Sequence, residues 1–235
     1  AGAPVSQGFP GFRPSNETSE QRDNVGVYLD LEGEVVENLT LSAAVRFEDY
    51  SDFGDTTTGK LSARYDFTDA FAIRGSASTG FKAPALQQQF FSYTSTNAVT
   101  TVVDGVPVTS LIEAGTFRVT DAAAIALGSK PLEAETSVNF SGGVVFRAGG
   151  LELTADAYHI KIEDRIVYSE NLGVATPSTP PGATATIQAL LAPFGVNAAR
   201  FFLNGVETTT QGIDIVGRYR FDTDSAGRFD FTAAA

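Results

Sequence analysis

Residues 87–93 read QQQFFSY: the side-chain amides of Gln87, Gln88 and Gln89 run into the rings of Phe90, Phe91 and Tyr93. Amides offer paired donors and acceptors, and rings offer flat apolar faces. With Arg118 further along, the set suits recognition of a large polar solute. Packing of the same side chains against their own scaffold is the competing use. A reaction is harder to assemble. His159, the single histidine, lies in DAYHIKIEDR beside Asp156 and Glu163, which evokes a base with carboxylates, but no nucleophile and orienting group accompany it. Carboxylates also crowd DLEGE (30–34) and EDYSDFGD (48–55), where Asp49, Asp52 and Asp55 carry oxygens of the kind Ca²⁺ takes. Neither stretch has EF-hand spacing, and solvated loop charge accounts for both. GTFRV and the glycine pairs match no phosphate-cradling loop. The chemistry on offer is binding: no catalytic residue, cofactor or metal centre is expected.

Composition narrows what could be bound. With 235 residues and 43% hydrophobic content the chain is long enough for one large β domain or two small ones. A net charge of −12 leaves no basic face for phosphates, so nucleic acid is excluded as a partner. Cysteine is absent, which removes disulfides and thiolate metal sites and is compatible with an oxidising envelope compartment. Methionine is absent even at position 1, so the chain reads as a processed or excised segment. No run approaches eighteen apolar residues and no signal-peptide pattern opens the chain. A helical span is thereby excluded, but a transmembrane barrel, whose signal is alternation, is not.

Alternation is the dominant pattern. Val25, Val27, Leu29, Leu31, Gly33 and Val35 alternate with Gly26, Tyr28, Asp30, Glu32 and Glu34. Leu39, Leu41, Ala43, Val45 and Phe47 repeat this against Arg46 and Glu48; Leu61, Ala63, Tyr65 and Phe67 against Lys60, Arg64 and Asp66; Phe71, Ile73, Gly75 and Ala77 against Arg74. The expected strands are about 22–36, 39–49, 58–67, 71–81, 134–147, 151–165, 207–221 and 227–235, after an extended lead-in over 1–21. A bulge is expected near Tyr158, where Ile160 and Ile162 take over from Leu153, Ala155 and Ala157.

A soluble β-sandwich would alternate too. These runs, however, reach the length of tilted membrane strands, about 9–11 residues, where soluble strands have about 5–6. Tight links at Glu37-Asn38, Thr68-Asp69-Ala70 and Ala148-Gly149-Gly150 alternate with long ones at 50–58, 82–133 and 166–206, as in outer-membrane barrels. Tyr50, Phe53, Phe67, Phe71, Phe81, Tyr219 and Phe221 sit near strand ends, where a bilayer interface favours rings. The fold expected is an all-β, antiparallel transmembrane barrel segment. Its apolar face meets lipid, and Asp30, Glu32, Glu34, Arg46, Glu48, Lys60, Arg64, Asp66 and Arg74 line a lumen, chiefly as cross-strand ion pairs. Pro84 ends strand 71–81. A short helix is expected at 119–128, capped by Thr120 or Asp121 and closed by Gly128, with helical turns at 186–202 interrupted at Pro193 and Gly195.

Five blocks carry a family resemblance. AAVRFEDYSDFGDTTTGKLSARYDFTDAFAIRGSASTGFKAPALQQQFFS resembles the barrel of TonB-dependent outer-membrane receptors. Arg46–Gly54 stands for their RYEDYSDFG-like loop and Lys60–Tyr65 for their K-x-x-x-RY strand. Gly80–Leu86 stands for their GFRAPSL-like exit, with Lys82 for the more frequent Arg. LGSKPLEAETSVNFSGGVV (127–145), ADAYHIKIEDRIV (155–167) and ARFFLNGVETTTQGIDI (199–215) are similar in order and spacing. The resemblance implies about eight strands of a 22-stranded barrel in a Gram-negative outer membrane. It further implies a plug domain, a TonB complex supplying energy, and import of a siderophore, cobalamin or glycan. No plug or energy-coupling box is found, so transport would belong to a longer parent. A self-contained eight-stranded structural or adhesive barrel and a soluble glycan-binding sandwich are the alternatives. Two unpaired edge strands are expected to invite self-association.

Overall fold

Side chains that are apolar and β-branched or aromatic at every second position favour a pleated ribbon with one greasy and one wet face, and that is the architecture of the chain. The computed structural model describes residues 14–103, 105–175 and 179–235. A short 3₁₀ turn at Pro14–Asn16 precedes β1 (Asn24–Val36), β2 (Leu39–Tyr50), β3 (Gly54–Thr68) and β4 (Phe71–Lys82). Then come α1 (Leu86–Phe90), β5 (Tyr93–Val103), β6 (Val106–Thr116), α2 (Ala122–Ala126), β7 (Glu135–Ala148) and β8 (Leu151–Tyr168). The chain finishes with α3 (Ala183–Leu191), β9 (Ala198–Arg200), β10 (Phe202–Thr223) and β11 (Gly227–Ala234). One eight-stranded sheet has the order β1-β2-β3-β4-β7-β8-β10-β11, and β5-β6-β9 form a smaller one. No helix among the described residues is long and apolar enough to cross a membrane, which has no bearing on strands.

The residues fall into two units. The sheet unit comprises Asp23–Lys82, Glu135–Asp164 and Glu207–Ala235. In it the antiparallel register sets Leu29 opposite Val45, Ala43 opposite Leu61, Tyr65 opposite Ile73 and Phe71 opposite Phe146, so the apolar positions of successive strands share one face. That face is not clasped by a second layer: Leu29 is 56% exposed, Leu41 40%, Val45 48% and Leu61 65%. A soluble sandwich would bury them. Leaving a side chain of this kind in water forfeits about 1.5–3 kcal/mol, and the face carries many of them. The tight β1–β2 turn is made by Asn38 in the left-handed region (φ 68°), its N–H donated to Glu34 Oε1 at 2.7 Å.

The loop unit comprises residues 14–22 with Ala83–Ala134 and Arg165–Val206. Here lies the buried core, Ala123, Leu191, Val196 and Ala199, with Phe117, Leu127 and Ile187 packed on it.

Several sequence-based boundaries are corrected. The stretch 82–133 is not one loop with a lone helix: β5 and β6 pair as a hairpin from Tyr93↔Thr116 to Val103↔Val106. Its Thr- and Val-rich sequence alternates too weakly to be read as strand, because neither face is strongly apolar. Within 186–202 the helix begins earlier, at Ala183, and Ala198–Arg200 is a strand parallel to β6. A 3₁₀ turn at Ala192–Phe194 and Gly195 (φ 68°) separate the two. In the expected helix 119–128, Asp121 occupies the N-cap position without capping, because its carboxylate accepts the Arg118 N–H at 2.9 Å instead. β3 starts at Gly54 and β10 at Phe202, both earlier than expected, and β1 starts at Asn24, two residues after position 22. The bulge expected near Tyr158 is not found in the pairing with β7, which runs in unbroken register from Ala148↔Leu151 to Thr136↔Glu163. Ile160 and Ile162 therefore stand on the polar face, and His159 and Lys161 on the other. The backbone irregularity is at Asp164 (φ 54°).

Candidate functional site

On the polar face of the sheet unit the register brings together every charge assigned there from sequence. Tyr28 faces Arg46, Asp30 faces Ala44, which faces Lys60, and Arg64 faces Arg74. Two guanidiniums directly opposite repel unless each is compensated. Arg64 forks onto Asp66 (3.0 and 2.6 Å), and Arg74 reaches across β7 to Asp156 on β8 (2.8 and 2.5 Å). The reach passes over Gly143, the common register partner of Arg74 and Asp156. A Cβ at Gly143 would stand 2.1 Å from Asp156 Oδ1 and 2.8 Å from the Ala155 carbonyl, so no side chain fits. Arg147–Glu152 (3.1 Å), Lys82–Glu135 (2.9 Å), Arg46–Glu48 (2.8 Å), Arg220–Asp230 (2.5 Å) and Arg228–Asp222 (2.8 Å) complete the pairs. Each is partly solvated and contributes little alone, about 0–1 kcal/mol. Together they make a wet, self-compensated wall. Asp30, Glu32 and Glu34 stand exposed on β1.

The proposed solute-binding residues divide by use. Gln88 Oε1 accepts the Ala85 N–H at 2.9 Å and starts α1, and Gln89 is buried. Arg118 lines a cleft of the loop unit and bonds backbone: Nε donates to the Phe90 carbonyl (2.9 Å), and its terminal nitrogen donates to the carbonyls of Glu17 (3.3 Å) and Asn16 (3.5 Å). Gln87 and Phe91 are exposed, and Phe91 packs against Tyr93 with centroids 5.2 Å apart. Tyr93 belongs to a cluster that sequence reading missed. Arg200 donates to its hydroxyl at 2.9 Å and lies 5.9 Å from its ring centroid and 5.1 Å from that of Tyr168. The Tyr168 hydroxyl bonds Thr116 Oγ1. Burial pushes the Tyr168 phenol above its usual range, although 39% of the residue is exposed. The missed partners are about 50 to 100 positions apart in sequence, and no local motif joins them.

Beside this cluster the loop unit has a cleft of about 340 Å³ whose lining includes Ser92, Tyr93, Thr94, Phe117, Arg118, Asp121 and Phe194. The Phe117 ring occupies the space left by the absent side chain at Gly115, where a Cβ would stand 2.5 Å from it. Phe194 meets it edge-on at 6.5 Å.

The His159, Asp156 and Glu163 grouping is not assembled. His159 and Asp156 point to opposite faces of β8, Asp156 is held by Arg74, and Glu163 pairs with Lys161. Among the described residues no three His, Cys, Asp or Glu side chains converge as a metal site.

The family model for TonB dependent receptor-like β-barrels matches residues 2–235, and the chain belongs to that family. In sequence it is 28% identical over 127 residues to the ferric enterobactin receptor PirA of Pseudomonas aeruginosa, covering 53% of this chain and 15% of that protein. A shorter match, 38% over 50 residues, links it to the vitamin B12 transporter BtuB of Vibrio cholerae serotype O1, covering 21% of this chain and 8% of the transporter. In structure it is similar to PirA of P. aeruginosa (TM-score 0.58, 19% identity, 94% of this chain and 36% of that one). It is also similar to the ferric enterobactin receptor PfeA of P. aeruginosa (TM-score 0.63, 16% identity, 97% and 28%). The chain thus spans about a third or less of the length of these relatives, and at such identities the structural likeness concerns the fold.

Proposed function

We propose that the chain is part of the barrel of an outer-membrane receptor in a Gram-negative bacterium, importing a scarce solute of the siderophore, cobalamin or glycan class. The reading rests chiefly on one observation: a family-matched eight-stranded sheet with an uncovered apolar face and an ion-paired opposite face. A bilayer is the surrounding that suits both, hydrocarbon outside and water within. On this reading Asp30, Glu32, Glu34, Arg46, Glu48, Lys60, Arg64, Asp66 and Arg74 line the lumen. The loop unit is extracellular, and Gln87, Phe91 and Tyr93 are its solute-facing members, while Gln88, Gln89, Phe90 and Arg118 hold the scaffold. The work is binding and passage, with no bond made or broken in the solute. The TonB complex is a partner, as the family's name suggests, and a plug domain, implied by the sequence resemblance to these receptors, is the other.

The test is uptake of a labelled ferric catecholate, cobalamin and an oligosaccharide by cells with and without the intact receptor. It is run before and after collapse of the proton gradient and in a strain lacking TonB. Receptor-dependent uptake of one class that stops in both energy-deprived conditions is expected. Recovery of the receptor in the soluble fraction, or uptake indifferent to TonB, would overturn the proposal.

A further inference from the structure

We infer that the 340 Å³ cleft of the loop unit is a recognition site for a single uncharged, polyhydroxylated ring, the terminal sugar of a glycan. The inference rests on the receptor reading above and names the ligand class of one part of it.

Charge decides the first point. The charged side chains of the cleft lining are Arg118 and Asp121, one of each sign, so the lining offers no net charge to an ionic ligand. Arg118 donates to three backbone carbonyls and lies 4.0 Å from Asp121, which offsets its charge within the lining; Arg200, outside the lining, donates to the Tyr93 hydroxyl and lies over two tyrosine rings, its Nε buried without a hydrogen bond. The carboxylate of Asp121 is itself part of the lining, so an anion entering would meet like charge at short range. A cation is no better served, because it would meet the Arg118 guanidinium, 4.0 Å from the one carboxylate of the lining.

Shape and polarity decide the second. The rings of Tyr93, Phe117 and Phe194 give apolar surface, with Phe117 lying over Gly115. Interleaved with them are hydroxyls: that of Thr94, whose side chain makes no hydrogen bond among the described residues, and that of Ser92, whose oxygen accepts from Asn16 at 3.3 Å. A flat aromatic ligand would cover these hydroxyls and leave them unpaired, at about 1–3 kcal/mol for each. A sugar ring avoids this, laying its C–H face on a phenyl ring and turning its rim hydroxyls to Thr94, Ser92 and the Asp121 oxygens. The volume lies at the small end for ligand sites, about 300–1,000 Å³, so it suits a terminal unit and not a whole metal chelate or corrinoid.

The test titrates neutral α-1,4- and β-1,4-linked gluco-oligosaccharides, and separately an anionic ferric catecholate, into the intact receptor by calorimetry. Wild type is compared with Phe194→Ala and Thr94→Val, chosen because Phe194 is exposed and the Thr94 side chain is unbonded, and equal outer-membrane levels serve as the folding check. The expected result is oligosaccharide binding tighter than about 1 mM. It should be unchanged by added salt, since no charge pair forms, and weakened about tenfold by Phe194→Ala and severalfold by Thr94→Val. Absence of oligosaccharide binding, or salt-sensitive catecholate binding lost in Phe194→Ala, overturns the inference. TonB-dependent uptake that persists alongside either result leaves the receptor reading standing, so the two failures are distinguishable.

Discussion

Gly143 shows how much a missing side chain can organise. Arg74 bonds Asp156 across an intervening strand only because nothing projects from the position between them. Gly143→Ala should cost about 1–3 kcal/mol, because the new methyl meets a backbone carbonyl that cannot yield as well as a carboxylate. Gly33→Ala, with open space around its Cβ, should be near neutral. Urea unfolding of the vesicle-inserted receptor, read as a shift in midpoint, separates the two. Tyr168 offers a second test. A phenol whose pKa is raised by folding keeps its proton longer than the unfolded chain does. The stability it brings is therefore complete below its usual value of about 10 and is lost as pH climbs past that value toward the folded one. Absorbance titration of tyrosinate should show a late-ionising phase that Tyr168→Phe removes, together with loosening of the loop unit above pH of about 10, followed by protease nicking.

β8 is the element on which sequence and structure part most clearly. Its apolar residues change parity after Ala157, and the obvious reading is a slip of one residue, yet the hydrogen-bond ladder to β7 runs through without a shift. The side chains change character and the backbone does not. The outward face becomes polar from His159 upward, with Lys161 bonded to Glu163 and 3.6 Å from Glu207, while Ile160 and Ile162 remain on the wet side. Because the chain has no cysteine, single-cysteine variants report faces cleanly. Ile160→Cys and Asp156→Cys should react with a water-soluble thiol reagent, and Ala155→Cys and Ala157→Cys with a bilayer-confined one. A slipped register would place Ile160 in the second group. Alternation was legible in β1 to β4 because lipid-type and water-type residues there keep strict parity. It was obscured in β8 because only part of that strand has an apolar outward face.

At the scale of the whole molecule the exposed apolar face sets behaviour. An open sheet with Val27 at 62% and Leu61 at 65% exposure, and edges at β1 and β11 that are unpaired among the described residues, presents a surface prone to self-association in plain buffer. The purified chain is expected to sediment as aggregates without detergent and to stay dispersed in micelles or lipid vesicles, measured by ultracentrifugation. A monodisperse monomer in detergent-free buffer would contradict the membrane reading. The ring clusters Tyr65–Phe67–Phe71 and Tyr219–Phe221–Phe229 gather at the strand ends joined by tight turns, as expected of a girdle at one membrane face.

What the sequence determined by itself was the class of structure: period-two alternation, long strands and turn residues at alternate ends suffice for an antiparallel barrel wall, because each is a local consequence of backbone geometry. It also placed Asp30, Glu32, Glu34, Arg46, Glu48, Lys60, Arg64, Asp66 and Arg74 on one face of β1 to β4. Only the tertiary structure decided which of those charges pair, that 93–116 is a hairpin, and that Tyr93 is held by Arg200 and Thr116 is bonded to Tyr168. Such partners meet through chain segments distant in sequence, and their contacts depend on angles and distances that no residue spacing encodes.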